Sequence, residues 1–573
     1  MDHSKLVSLS SGATVQLEIE KDVLRAEEAG KEQKTSFISE RLVEKKKVFF
    51  YPIHQLKRKT MAETSKKGKL RSKNNKVTEF KQQSNVAFQL LVKSQQGNLD
   101  VDLQELMAFQ LTAVPYSLGT ADGFLVKTDK STSFHFLTKG IEDAVSPPEA
   151  NTLTIIDGNA VFHAMVQVPL TFRDICIQVL DMLPKKTDVI FSTGMYQEGS
   201  IKAMERKRRG MGEKILLTGE ATKRPGDWAT FLSNDENKTQ FINLLLQVWS
   251  SDSQAGKLQD RYVVMICEGK AVKLSSPDGI KTVSEPLHGL DSTQEETDSR
   301  NVLYCAYGKQ LGYRFIKVKS PDSDVFFILA HFVKKMDDIN ILFDTGKGNK
   351  KRLLDVTQLT KDSTTAYQSA LLSLHAYTGC DTVSSFKGRG KLKPLKILQQ
   401  TPKFVDTLAR LGENWVIDDI LLDELDAFTC AIYGRPHFSK VDDLRFYMLK
   451  EKCGNDTLNP NVNVDLFSFP PCRKSLKQHV RRANYQTAIW KRALLPSPNI
   501  PNPFDGHGWH ISGGELQPLW TEEEEELRLP EAVIEDILRE NTDEDKETED
   551  DFEESLRGID DFTNYSESEP EED

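Results

Sequence analysis

This chain has little of what builds disulfide frameworks or zinc sites. Its 573 residues include seven scattered cysteines and no Cys-x-x-Cys pair, which argues against both. Cys472, His479, His507 and His510 match no common zinc spacing, so structural or surface roles are expected for them. No run of about 18 apolar residues occurs, so no membrane span is expected. The opening MDHSKLVSLSSG lacks an apolar stretch of signal-peptide length, and the expectation is a reducing, intracellular compartment. Basic residues are scarce at the C-terminal end. Residues 521–573 carry 25 Asp and Glu against 4 Lys and Arg, whereas the first 520 residues carry 71 basic against 61 acidic groups. The net charge of −11 therefore joins a basic body to an acidic tail, and a basic body suits a polyanionic partner such as DNA or RNA.

With 38% apolar and 28% charged residues, the balance is globular, and the length predicts more than one unit. Residues 1–150 read as an N-terminal accessory region. Its basic loop at 45–81 holds 13 Lys and Arg against two Glu, with no apolar periodicity. It reads either as a solvated linker or as a nuclear-localisation or nucleic-acid arm, which makes a nuclear location the expectation. VAFQLLV and DLQELMAFQL follow as amphipathic helical pieces.

Residues 151–434 alternate strand-like segments (TLTIID, TDVIFST, RYVVMIC, YRFIKVKS, INILFD) with longer helical stretches such as Gln294–Leu311. This pattern predicts an α/β fold, a mostly parallel sheet with helices on both faces. Residues 435–520 form a C-terminal extension in which a helix is expected over Ala483–Leu494 and irregular structure elsewhere. Residues 521–573 have too little apolar surface to offset their ordering entropy, so a mostly disordered tail is expected, open to protein partners.

Acidic residues stand where such a sheet would gather them. Asp157 ends the first strand segment. Asp322 and Asp324 follow YRFIKVKS. Glu296 and Asp298 open a predicted helix in STQEETDSR, and Asp381 lies in a TGCD turn. Ligands of open α/β sheets bind outside the carboxyl ends of strands. Convergent carboxylates suit Mg²⁺ or Mn²⁺, and a pair of such ions can assist phosphodiester hydrolysis. Each piece also has a plainer reading. Thr293 with Glu296 fits a capping box, SPDSD is an ordinary turn sequence, and Asp157 before Gly158 ends a strand.

Taken in order, IIDGNAVFH, Glu296-Thr297-Asp298, Asp322-Ser323-Asp324 and Gly379-Cys380-Asp381 resemble the metal-binding motifs of the flap endonuclease and 5′-nuclease (PIN-like domain) superfamily. The chain up to about Trp520 resembles still more closely a group of uncharacterised multi-copy animal proteins with a PIN-like domain. These share HEEADTR-like, SPDTDV-like and LHAFTGCDTTSAF-like blocks. The resemblance implies a flap-endonuclease-like fold and a metal-dependent, structure-specific nuclease. It implies two Mg²⁺ or Mn²⁺ ions, one held by Asp322 and Asp324 with Asp298 and Asp381, the other by Asp157 and Glu296. The superfamily carries a further Asp at the end of its second core strand, where this chain has Ser192-Thr193-Gly194. One ion is therefore expected to be weakly held.

The resemblance also implies a Lys and an Arg that steer the scissile phosphate, here Lys202 and Arg206, with Arg208 and Arg209 behind them as nucleic-acid contacts. The other reading of that segment is a basic, solvent-facing helix. Lys387, Gly388, Arg389, Gly390, Lys391 and Lys393, in KGRGKLKP, are a candidate duplex clamp, because glycines let backbone N–H groups approach a phosphate. Two other functional readings stay open. One is a PIN-like nucleic-acid-binding protein whose metal site is too degraded to cut. The other is a protein-interaction factor acting through its basic arm and acidic tail.

Overall fold

The computed structural model describes residues 24–48, 107–110, 114–120, 122–453 and 468–522, apart from Glu198 and Met211, and Lys21, Gln104 and Thr112 singly. Nearly all of the 45–81 loop, most of the helical pieces that follow it and the tail beyond Glu522 lie outside the described residues.

Five apolar segments make the middle of one eight-stranded sheet. The strands are β1 (Thr152–Asp157), β2 (Asp188–Ser192), β3 (Val263–Cys267), β4 (Lys270–Ser275), β5 (Val283–Pro286), β6 (Phe315–Lys319), β7 (Asn340–Thr345) and β8 (Arg352–Asp355), in the order β5-β4-β3-β2-β1-β6-β7-β8. The central five, β3, β2, β1, β6 and β7, run parallel, while β4, β5 and β8 pair antiparallel. The five expected strands are these central five. The three antiparallel additions were not anticipated, because they are mostly polar or partly exposed, and the edge strands β5 and β8 lack the two-sided apolar signature.

Ten helices matter below: α1 (Gly158–Ala164), α2 (Phe172–Asp181), α3 (Ile201–Arg209), α4 (Asp235–Trp249), α5 (Thr297–Gln310), α6 (Ser323–Phe332), α7 (Thr365–Tyr377), α8 (Leu392–Gln400), α9 (Asp419–Ile432) and α10 (Arg473–Lys491). Side chains alternate between the two faces of a strand, and β1, β2 and β3 bury apolar side chains on both, whereas β6 places Lys317 and Lys319 on one. Leu153 and Ile155 of β1 enter one core with α5, α6, α7, α9 and α10, whereas Ile156 enters the other with α1, α2 and α4. Trp249 and Phe191, both fully buried, meet at 5.2 Å in the second core. Truncating either to Ala would cost about 3–5 kcal/mol.

The larger core crosses the boundaries expected at 150 and 435. Leu118, Phe134, Leu476, Val480 and Trp490 belong to the same cluster as Ile155 and Val318, and the Phe134 ring lies 4.9 Å from Phe326. The helix expected over Ala483–Leu494 begins ten residues earlier, at Arg473. Its apolar periodicity is hidden because Arg482, Asn484, Gln486 and Thr487 are buried. Arg482 donates to the carbonyls of Gly508 and Leu519, and Asn484 to those of Asn414 and Trp415. No helix among the described residues is long and apolar enough to cross a membrane.

Strand order positions the site. From β1 the chain builds outward through β2 and β3, then α5 returns it to the far side of β1, where β6 and β7 follow. The order reverses at β1 and β6, and ligands of open α/β sheets bind beyond the strand carboxyl ends at such a switch point.

Candidate metal centre

Each expected acid arrives through ordinary backbone geometry at a strand end or helix start. Asp157 closes β1 and caps α1, accepting from Ala160 N at 3.3 Å. Asp322 caps α6, accepting from Asp324 N at 2.9 Å, and Asp324 lies in the same first turn. Glu296 is the N-cap residue of α5, yet its side chain makes no capping bond. The capping-box reading of Thr293 and Glu296 therefore fails, and the Glu296 carboxylate turns instead toward Lys202, at 3.5 Å. Asp381 follows Gly379, whose φ of 112° and approach to the Ser385 backbone exclude a side chain.

Oxygens of Asp322, Asp324 and Asp381 lie within 4.8 Å of one another. Asp298 interacts electrostatically with Asp322, Glu296 and Asp157, which joins the remaining acids to that triad. Asp157, Glu296 and Asp298 stand at the end of β1 and the start of α5, within electrostatic reach of that triad. The proton affinities of the six divide. Burial pushes Asp157 up to about 6, aided by the charge of Asp322. Burial and neighbouring acids also raise Glu296, Asp298 and Asp322. Against the same burial, Lys202 and Lys130 hold Asp381 down at about 2, and Lys130 and His375 hold Asp324 well below the usual carboxylate range. Acids crowded in this way favour added positive charge, and an all-carboxylate oxygen set suits hard divalent cations. Among the described residues, Asp322, Asp324 and Asp381 form a group that could hold a metal ion.

Three basic or polar partners were not foreseen. Lys130 Nζ sits 2.8 Å from Asp322, 3.2 Å from Asp324 and 3.3 Å from Asp381. Lys127 donates to the Asp381 carbonyl at 2.6 Å and lies 3.3 Å from the buried Glu205. Neither has a motif to betray it, since both come from a turn-rich stretch outside the strand-helix pattern. His375 had a signal: it stands in the same LHAYTGCD block as Asp381. Burial and the charge of Lys391 lower it to about 4. As a neutral ring it donates Nε2–H to Asp324 at 2.8 Å, and it stacks on Phe327 at 4.1 Å.

The expected phosphate contacts separate. Lys202 reaches the cleft, 3.5 Å from Glu296 and 3.7 Å from Asp381. Arg206 does not. It is held by Asp235 at 2.6 Å and Glu295 at 3.2 Å, and Glu295 also accepts from Ser200 at 2.7 Å. Arg209, about two turns from Lys202 and so on the same face of α3, approaches Asp381 at 3.5 Å. Arg208 pairs with Glu205 at 3.2 Å.

In the candidate clamp, Lys387, Gly388, Gly390 and Lys393 are exposed, and Arg389 lies over the Tyr433 ring at 4.6 Å. Lys391 must be taken out of the clamp. It is 1% exposed and donates to the His375 carbonyl at 2.8 Å and to Thr378 at 3.0 Å, tying down the end of α7. Ser192 stands beside Asp157 in the β1–β2 register. It is buried and 3.2 Å from the Tyr304 hydroxyl, so no acid fills that position. His479 contacts the Tyr377 carbonyl at 2.9 Å, and His507 packs on Tyr485 with ring centroids 5.0 Å apart.

Beyond α3 opens a groove of about 1120 Å³, lined in part by Lys207, Lys214, Asp235, Glu236, Glu268 and Glu515. Its acids outnumber its lysines.

The chain matches no protein-family model and no curated protein. The functional reading therefore rests on the geometry of the cleft.

Proposed function

We propose that this chain is a divalent-metal-dependent nuclease with a PIN-like, flap-endonuclease-like domain, hydrolysing phosphodiester bonds of DNA or RNA at structured or branched sites. The observation that carries the reading is the Asp322–Asp324–Asp381 triad, whose oxygens lie within 4.8 Å of one another, with Lys202 and Arg209 of α3 against Asp381 and with Asp157, Glu296 and Asp298 within electrostatic reach. Asp322 and Asp324, with Asp298 and Asp381, would hold one Mg²⁺ or Mn²⁺, and Asp157 and Glu296 a second. Bound there, the metal would lower the pKa of a water and offset charge on the phosphate. Lys202 and Arg209 would orient the phosphate, His375 keeps the Asp324 carboxylate turned into the cleft, and the exposed Lys387 and Lys393 would hold the flanking duplex.

Ser192 favours a second reading, a PIN-like nucleic-acid-binding protein with weakened or lost cleavage, because Asp157 lacks an acidic neighbour on β2. A Mg²⁺ and Mn²⁺ cleavage screen on branched, single-stranded and duplex substrates separates the two. The nuclease reading expects Mn²⁺-stimulated cleavage that Asp322→Ala abolishes. Cleavage that survives Asp322→Ala sinks the metal assignment. Nucleic-acid binding without cleavage in either protein selects the second reading.

A further inference from the structure

The Lys130 ammonium lies within 3.3 Å of an oxygen from each of Asp322, Asp324 and Asp381, the three acids whose oxygens are close enough together to ligate one ion. The lysine therefore stands against the triad where a divalent cation would sit. Its segment is anchored on both sides. Upstream, Val126 donates to the Leu118 carbonyl at 2.9 Å and accepts from Ser385 N at 2.8 Å. Downstream, Phe134 is buried against Phe326 and Phe343. The Lys130 side chain itself is 24% exposed, so its four-carbon stem can swing outward without unseating the backbone. One ammonium carries a single charge and cannot match a divalent ion facing three carboxylates, but its local concentration is fixed by the fold.

We propose that Lys130 is a resident cation of the Asp322–Asp324–Asp381 triad that a divalent metal must displace, so that this chain sets its own threshold metal concentration. The inference rests on the metal-site reading above. It makes Lys130 a competitor for the site and not a ligand, and it assigns the segment 126–134 a regulatory part in metal loading.

Mn²⁺ titration of the full chain by calorimetry, comparing wild type with Lys130→Met, tests it. The variant is expected to bind Mn²⁺ tighter by about tenfold or more, the loss of one competing charge being worth at least that much in a half-buried site. Equal or weaker binding by the variant, when wild type binds, overturns the competition and leaves the metal site standing. Absence of binding in both proteins overturns the metal site and the competition with it. Because three uncompensated carboxylates could prevent the variant from folding, a second measurement uses the wild type alone. Amine acylation of Lys130, quantified by mass spectrometry, should rise several-fold on adding saturating Mn²⁺, with exposed Lys387 as the internal standard. Unchanged Lys130 labelling at saturating Mn²⁺ also overturns the proposal.

Discussion

Two pairs of carboxylates, Asp324 with Asp381 and Asp157 with Asp298, carry the same functional group and hold their protons in opposite ways. On the β6 side, Asp324 and Asp381 are buried or half-buried, yet cations within 4 Å keep them ionised. On the β1 side, Asp157 and Asp298 are as deeply placed, without an ion pair, and both are driven toward the neutral form. Burial is comparable, and Lys130 and Lys202 lower Asp324 and Asp381, whereas Asp322, 2.8 Å from Lys130, is still raised by burial and by the charge of Asp324. The β6 side is compensated by the fold at Asp324 and Asp381 but not at Asp322. Asp157 and Asp298 have no ion pair among the described residues, so a cation brought to them should alter stability there.

The largest break in this comparison comes from Asp324→Ala. It would leave Lys130 and His375 without their central partner in a site where Asp324 is 2% exposed, and removing one member of a buried pair costs about 3–5 kcal/mol. Denaturant unfolding at pH 7 measures it. A loss below about 1 kcal/mol would mean that the β6 side is not held by these pairs.

A paired substitution sharpens the contrast by pH. Asp157 is raised from an ordinary 3.8 to about 6, so its contribution to metal-free stability is full below its unfolded value and is lost as pH rises through 6. That gap is worth roughly 3 kcal/mol at most. Asp157→Asn should therefore stabilise the metal-free protein above pH 6 by about 1–3 kcal/mol, with no gain at pH 4. Asp381 is lowered to about 2, so its contribution is present above its unfolded value and is lost as pH falls toward 2. Asp381→Asn should destabilise at pH 7. Thermal melts in EDTA from pH 4 to 8 test both signs, and two substitutions moving stability in the same direction at pH 7 would erase the distinction.

Ser192→Asp turns the β1 side further toward its need for a cation, because the new carboxylate is register-paired with Asp157. Metal-free stability should drop by about 1–3 kcal/mol, Mn²⁺ should restore more of it than in wild type, and cleavage should speed up. A variant equally destabilised with and without Mn²⁺ would place residue 192 away from the second ion. The smallest effect is expected at the exposed clamp. Lys387→Ala with Lys393→Ala should change stability by less than about 0.5 kcal/mol and lower the salt slope of duplex binding by about 1 per lost phosphate contact. An unchanged slope removes these lysines from the interface.

Some of this was legible in one dimension. The apolar segments TLTIID and YRFIKVKS each run to a strand end and hand over to an acid or a turn. Strand ends and helix starts are determined by neighbours a few residues away, through N-cap bonds such as Ala160 to Asp157 and Asp324 to Asp322. The acids were therefore readable, as was the mostly parallel sheet that gathers them. The lysines were not. Arg206 and Arg209 differ only by their angle around α3, and which of them meets Asp381 depends on how that helix is seated. Lys391 looked like a surface cation in KGRGKLKP and is buried, because the α7 terminus supplied carbonyl and hydroxyl acceptors for it.

The sequence alone thus determined where carboxylates could stand, since strand ends and first helical turns are local, repeating geometries. Tertiary structure alone decided which carboxylates received a cation. Lys130 and Asp322 are 192 residues apart, and no local rule links an ammonium on one turn to an oxygen on a distant helix start. The packing of Phe134 against Phe326, with the bonds of Val126 to Ser385 and of Lys127 to the Asp381 carbonyl, brings that lysine to the triad.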